Sequence, residues 1–365
     1  MKLNTAKKLT AGALALSMMF AMATPMAFAA KGDEDEPTVR ISKTYNLEGD
    51  GTSPAETFYL YQDGDGVVVD GDAGSAPALE RLDGNESAYV AKVAYDEGAA
   101  GNDSKETQEF EITLPRYDHV GVYEYTLKEK AGTTAGVTYR TAEIKLIVTV
   151  INKADGTIRV AGVHTEAKNA EGKWEASNKS DSFDDNTYSA GSLNVDKTVE
   201  GSLGDKNKAF KFTVTLVGEE GKTYNQNGYK IVGGINKSET EKSATSIKVG
   251  ESATVYLKDA SKIEIENLPY GVTFTVEEDN YTDDTPANGY TTTYKVNEGS
   301  VVTGRTTSGT DKIASADENV SYTNKKGDGN IDTGVILDNA PYILMLAVVA
   351  GGAMTLVIKK RREEE

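Results

Sequence analysis

The chain has 365 residues, which is room for two or three domains, and it contains no cysteine, so disulfides are excluded as a source of stability. A formal net charge of −18 argues against nucleic acid as a partner. Tyrosine dominates the aromatics, and glycine is frequent at 36 residues, a balance that leans toward strands and turns.

The N-terminus reads as a secretory signal. Lys2, Lys7 and Lys8 form a positive region, Leu9 to Met26 is mostly apolar, and Ala27-Phe28-Ala29 offers small residues for cleavage after residue 29. Lys31 to Pro37 is charged and lacks the apolar residues a core needs. From Val39 the pattern alternates. Val39, Ile41 and Lys43 share one strand face, so a lysine points inward with apolar neighbours. Thr57–Tyr61 is a second strand. Gln62–Ser75 spaces Asp63, Asp65, Asp70 and Asp72 with glycines but lacks the twelfth-position Glu of a calcium loop, so it reads as an acidic hairpin turn, with no metal or cofactor expected.

Strands follow at Glu109–Leu114 and Gly121–Glu129, the second placing Tyr123, Tyr125, Leu127 and Glu129 on one face. Glu143–Ile151 is the strongest strand of this half, and Lys153-Ala154-Asp155-Gly156 turns it into Thr157–Val163. Ala167–Asp185 is polar and loop-like, with the single tryptophan, Trp174. Asn186 to Gly201, NTYSAGSLNVDKTVEG, is a seam across which the chain repeats its style. Lys197 lies in alternating apolar surroundings, Ala209–Val217 is a strand, and Ser238–Ser246 is polar. After the turn Leu268-Pro269-Tyr270-Gly271, Val272, Phe274, Val276 and Glu278 alternate on one face; the neighbouring Glu277 falls on the other. Gly289–Val296 and Ala314–Asn324 are the last strands, and Lys325–Asn330 is a short polar linker. Many short strands with no helical stripe between the termini predict an all-β fold of β-sandwiches.

The C-terminal region, residues 327–365, carries Asn330-Ile331-Asp332-Thr333-Gly334, an apolar span at 340–358 long enough to cross a bilayer, and a basic tail at 359–365. This order resembles the cell-wall sorting signal of Gram-positive surface proteins, in which a sortase cuts between Thr and Gly. The usual Leu-Pro start is replaced here by Asn330 and Ile331.

Each half thus presents an inward lysine, an inward glutamate and a late asparagine, in that order. Buried and unpaired, each polar group would cost several kcal/mol. Attack of the lysine amine on the asparagine side-chain carbonyl, with loss of ammonia, resolves that cost. Burial favours the neutral, nucleophilic amine, and a neighbouring carboxyl can shuttle the proton. Such a reaction happens once per domain, so the chain modifies itself and is not a turnover enzyme. His119 and His164 make no metal-spaced cluster, and no nucleophile elbow is present, which argues against a secreted enzyme.

The Lys–Glu–Asn order, the seam and the Thr-Gly–apolar–basic tail together resemble the major shaft pilins of Gram-positive bacteria, most closely the two-domain streptococcal type with self-generated isopeptide bonds. The resemblance covers essentially the whole chain. It implies two tandem immunoglobulin-like (CnaB-type) sandwiches, residues 30–190 and 191–326, between a signal peptide (1–29) and the sorting tail. Carried across, Lys43 would bond Asn186 with Glu129 assisting, and Lys197 would bond Asn324 with Glu278 assisting. Tyr322 stands two residues before Asn324, whereas Phe183 stands three before Asn186, so Asn178 and Asn194 remain open as alternatives to Asn186. Thr333 would be the acyl donor at the Thr333–Gly334 cut. The acceptor would be an exposed loop lysine of a neighbouring subunit: Lys179, in the Trp174–Asp185 loop, or else Lys173. The implied partners are a sortase, neighbouring pilin subunits, minor tip or base pilins, peptidoglycan and host surface ligands. The implied location is a secreted, wall-anchored surface pilus. A wall-anchored adhesin or stalk of the same domains that never polymerises is the alternative reading.

Overall fold

A computed structural model describes residues 38–100, 106–168, 172–180, 186–283 and 289–327. The expected signal peptide, Lys31–Pro37, Phe183, and the sorting region with Thr333, Gly334, the 340–358 span and the basic tail lie outside the described residues.

Among the described residues the regular structure is strands, with one short 3-10 turn at Gly84–Glu86. The first unit contains β1 (Thr38–Gly49), β2 (Glu56–Gln62), β3 (Val67–Gly71), β4 (Ala91–Tyr95), β5 (Glu106–Thr113), β6 (Gly121–Glu129), β7 (Val137–Thr138), β8 (Ile144–Asn152), β9 (Ile158–Lys168) and β10 (Trp174–Ser180). A long strand, β11 (Asn186–Glu200), comes next. The second unit adds β12 (Phe210–Val217), β13 (Tyr229–Gly233), β14 (Ser246–Ile247), β15 (Ser252–Leu257), β16 (Ser261–Pro269), β17 (Thr273–Glu278), β18 (Thr291–Val296), β19 (Val302–Thr303) and β20 (Asp317–Lys325). The period-two patterns explain these elements. In β6 Tyr123, Tyr125, Leu127 and Glu129 are buried and the residues between them half-buried.

Two sandwiches result, and β11 belongs to both. Its first half lies between β1, parallel, and β7, antiparallel; its second half lies between β20, parallel, and β16, antiparallel. In the first sandwich the facing sheet runs β10-β9-β8-β6-β2-β4, with β3 on β6. In the second it is β15-β12-β17. One core runs from Ile41 to Ala190 and contains Phe58, Phe110 and Leu146. The other runs from Leu193 to Tyr322 and contains Phe212, Ile265 and Phe274. The repeat seam is therefore the interior of one continuous strand.

The two sandwiches also touch away from β11. The Asn267 side-chain amide pairs with the Thr52 backbone in both directions, accepting from its N–H at 3.1 Å and donating to its carbonyl at 3.0 Å. Gly51 makes this approach feasible, since a Cβ there would sit 2.2 Å from Asn267 Oδ1. Elsewhere the Thr223 N–H donates to Thr133 O at 2.7 Å, and the Ala135 N–H donates to Thr223 O at 2.9 Å.

Two sequence expectations are corrected. The stretch Ala167–Asp185 is not all loop: β9 continues to Lys168, and Trp174–Ser180 forms β10 on the edge of the seven-stranded sheet. An edge strand can be held by backbone pairing alone, so WEASNKS needs no apolar alternation to reveal it. Within Gln62–Ser75, Val67–Gly71 forms a strand that pairs with β6, as β2 does, and not with β2, so the expected acidic hairpin is instead a connection holding Asp63 and Asp65, with Asp70 in the strand and Asp72 after it.

Candidate functional site

The same local architecture occurs twice. Lys43 and Lys197 sit on the first strand of each sandwich, Asn186 and Asn324 on the last, and those two strands pair in parallel. Tyr45 lies opposite Asn186, and Val199 lies opposite Asn324. Each lysine is therefore two residues before the position facing its asparagine, on the same face of the sheet. Each glutamate comes from the facing sheet. Glu129 ends β6 opposite Leu60, and Glu278 ends β17 opposite Phe212. All six side chains are buried.

In the first site the Lys43 ammonium nitrogen contacts Asn186 Oδ1 directly and lies 2.8 Å from Glu129 Oε2. Asn186 Nδ2 donates to Glu129 Oε1 at 2.8 Å, and the Arg140 backbone N–H donates to the same oxygen at 3.0 Å. The Phe58 ring lies 5.5 Å from Lys43 Nζ. One carboxylate thus touches both the amine that would attack and the amide nitrogen that would leave.

In the second site Lys197 Nζ lies 2.9 Å from Glu278 Oε1, an ion-pair contact outside hydrogen-bond geometry. Asn324 Nδ2 donates to that same Oε1 at 2.9 Å, while Asn324 Oδ1 is buried with no donor among the described residues. The rings of Phe210 and Phe212 lie 4.7 and 5.8 Å from Lys197 Nζ. Burial pulls the Lys197 amine down to about 8, against the opposing pull of Glu278. A useful fraction is then the neutral nucleophile near neutral pH.

The arrangement can perform one reaction, acyl transfer from the asparagine amide to the lysine amine, in a pocket closed to water. Of the adjacent acids, Glu278 is buried, while Glu277 is exposed and 4.0 Å from Arg305. Asn194 is half-buried and donates to Asp317 at 3.4 Å, away from Lys43. Asn178 is in β10, and its side chain lies outside the described residues. Lys173 is exposed just before β10. Lys179 sits in β10, not in a loop, and pairs with Glu166 of β9. Two partners of the carboxylates had no sequence signal: the Arg140 N–H, a backbone group, and Thr292, one of three consecutive threonines. Asp63, from the acidic stretch, forms a 2.6 Å ion pair with Lys128.

Residues 70–189 match a family described as a Spy0128-like isopeptide containing domain, and residues 191–326 match a domain of unknown function. A Streptococcus pyogenes serotype M1 protein named Pilin is 31% identical over 292 residues, spanning 76% of this chain and 81% of its own length. A crystal structure of the major pilin from Streptococcus pyogenes aligns with 24% identity and a TM-score of 0.49, covering 80% of this chain and 99% of that one. The T3.2 major pilin of Streptococcus pyogenes aligns with 19% identity and a TM-score of 0.46, covering 80% of this chain and 99% of that chain.

Proposed function

Because this chain belongs to the pilin family and is a structural subunit of a Gram-positive surface pilus, we propose that each of its buried triads closes into a Lys–Asn isopeptide bond and that a sortase links the subunits. One observation carries the first part: the same two-residue offset between lysine and asparagine on parallel strands, bridged by a buried glutamate, occurs in both sandwiches.

The neutral lysine Nζ attacks the asparagine Cγ, and an N–H proton passes to the glutamate carboxylate. The carboxyl returns the proton to Nδ2 as the Cγ–Nδ2 bond breaks and ammonia leaves. An amide replaces an amide, so atoms balance with no oxidant or cofactor. Each domain reacts once; the glutamates act as proton carriers in self-modification, not in turnover.

The expected benefit is topological. The first bond would close a loop between residues 143 apart in sequence, and in the chain-entropy model that removes about 5 kcal/mol of unfolded-state freedom. Both bonds meet on β11, which carries Asn186 and Lys197. Tension arriving at Asn324 would cross to Lys197 and run along roughly 35 Å of one strand to Asn186, leaving the sandwiches unstretched.

For assembly, Thr333 is the acyl donor after secretion and cleavage before Gly334, and Lys179 on the edge strand β10 is the acceptor, with Lys173 second. The finished fibre is anchored to peptidoglycan and associates with minor tip or base pilins.

The test is the intact mass of the secreted chain, beside Glu129→Ala and Glu278→Ala. The expected result is a deficit of two ammonia masses, falling to one in each variant. Full mass throughout would reduce the triads to ordinary buried polar groups.

A further inference from the structure

Resting on that reading, we infer that Thr292 is the residue that positions the Glu278 carboxylate for the second bond. Thr292 is buried on β18 directly opposite Asn324 of β20. Its hydroxyl donates to Glu278 Oε2 at 2.9 Å. The other oxygen, Oε1, is the one shared by Lys197 and Asn324.

The division of labour between the two oxygens matters. The terminal torsion of a glutamate is broad and roughly two-fold, so burial alone does not fix the carboxylate plane. The Glu278 backbone is held on both sides by Arg305, whose carbonyl accepts from the Glu278 N–H at 2.9 Å and whose guanidinium donates to the Glu278 carbonyl at 3.0 Å. That fixes where the side chain starts, not how its end is turned. The Thr292 hydroxyl supplies the missing constraint by occupying Oε2, which leaves Oε1 aimed between the amine and the amide nitrogen. In the first site the carboxylate is held instead by the Arg140 backbone N–H on Glu129 Oε1, the oxygen that also accepts from Asn186, and a side-chain substitution leaves that donor in place. The two domains therefore hold their carboxylates by different means, and only the second is open to removal by a single side-chain change.

The experiment follows bond formation in the whole secreted chain after a short synthesis pulse, reading ammonia loss by mass and assigning each crosslink by peptide mapping. Thr292→Val keeps the shape and removes the hydroxyl. It should slow formation of the Lys197–Asn324 bond about tenfold, the loss expected for one hydrogen bond to a charged group, and leave the Lys43–Asn186 bond at its normal rate. Thr292→Ser should restore the rate. A structural role is separated by repeating Thr292→Val in an Asn324→Ala chain, where no second bond can form; the second domain should melt within a few degrees of the Asn324→Ala parent. Equal rates for the valine and wild-type chains, no rescue by serine, or collapse of the second domain in the double variant would each overturn the inference. A wild-type chain that never loses the second ammonia would instead overturn the reading on which it rests.

Discussion

Asn324→Ala offers the sharpest test of what the second crosslink contributes. The substitution removes the electrophile but leaves Lys197 and Glu278 paired at 2.9 Å in a buried pocket. What it costs is chiefly the closure of a loop of roughly 130 residues, worth about 5 kcal/mol in the chain-entropy model. Typical domains have total stabilities of about 5–15 kcal/mol, so a third or more of the total would go. At about 3–5 °C per kcal/mol for a domain of this size, the second domain should melt roughly 15–25 °C lower. Glu278→Ala should be worse. It prevents the bond and also strands the Lys197 amine, whose pKa of about 8 already reflects desolvation. Removing one partner of a buried ion pair costs about 3–5 kcal/mol, so a further loss of that order is expected. Calorimetry resolves this, with the first domain as an internal reference and intact mass confirming one ammonia lost instead of two. If Asn324→Ala loses only one ammonia yet melts with the wild type, closure entropy is not what the bond provides. If Glu278→Ala melts no lower than Asn324→Ala, the burial cost assigned to Lys197 is wrong.

Four other outcomes follow. Before the bond closes, the folded chain holds Lys197 below its unfolded pKa and so binds fewer protons than the unfolded chain; stability of that unreacted state should rise with pH from about 8 toward the unfolded value near 10.4. The rate of the second bond should climb with pH as the neutral amine accumulates and level off above about 8, and a flat pH–rate profile from 6 to 9 would contradict attack by that amine. Lys179→Ala should abolish the ladder of covalent multimers in wall extracts, and an unchanged ladder would shift the acceptor to another lysine such as Lys173. Asn267→Ala removes both hydrogen bonds to Thr52 and should quicken hydrogen exchange at the Thr52 amide, while the Thr223 and Ala135 amides that also bridge the sandwiches keep their protection; an unchanged Thr52 rate would contradict the contact.

Much of this protein was legible in its sequence, because strand alternation is local physics. Val39, Ile41 and Lys43 betray an inward lysine, and Val272 to Glu278 betray an inward glutamate, since side chains two apart must share a face. The repeated order Lys–Glu–Asn then suggests the chemistry without coordinates. Three things were decided only by the tertiary structure. The edge strand Trp174–Ser180 has no apolar stripe, because backbone pairing to β9 needs none, so Lys179 looked like a loop residue. The seam gives no sign in composition that it is one unbroken strand, since that depends on which neighbours flank each half of β11: β1 and β7 first, β20 and β16 after. Finally, how each carboxylate is turned toward the reacting pair depends on donors from neighbouring strands and turns, the Arg140 N–H and the Thr292 hydroxyl, which no strand pattern marks. A linear pattern encodes which face a side chain takes; what meets it there is set by how the two sheets are brought together.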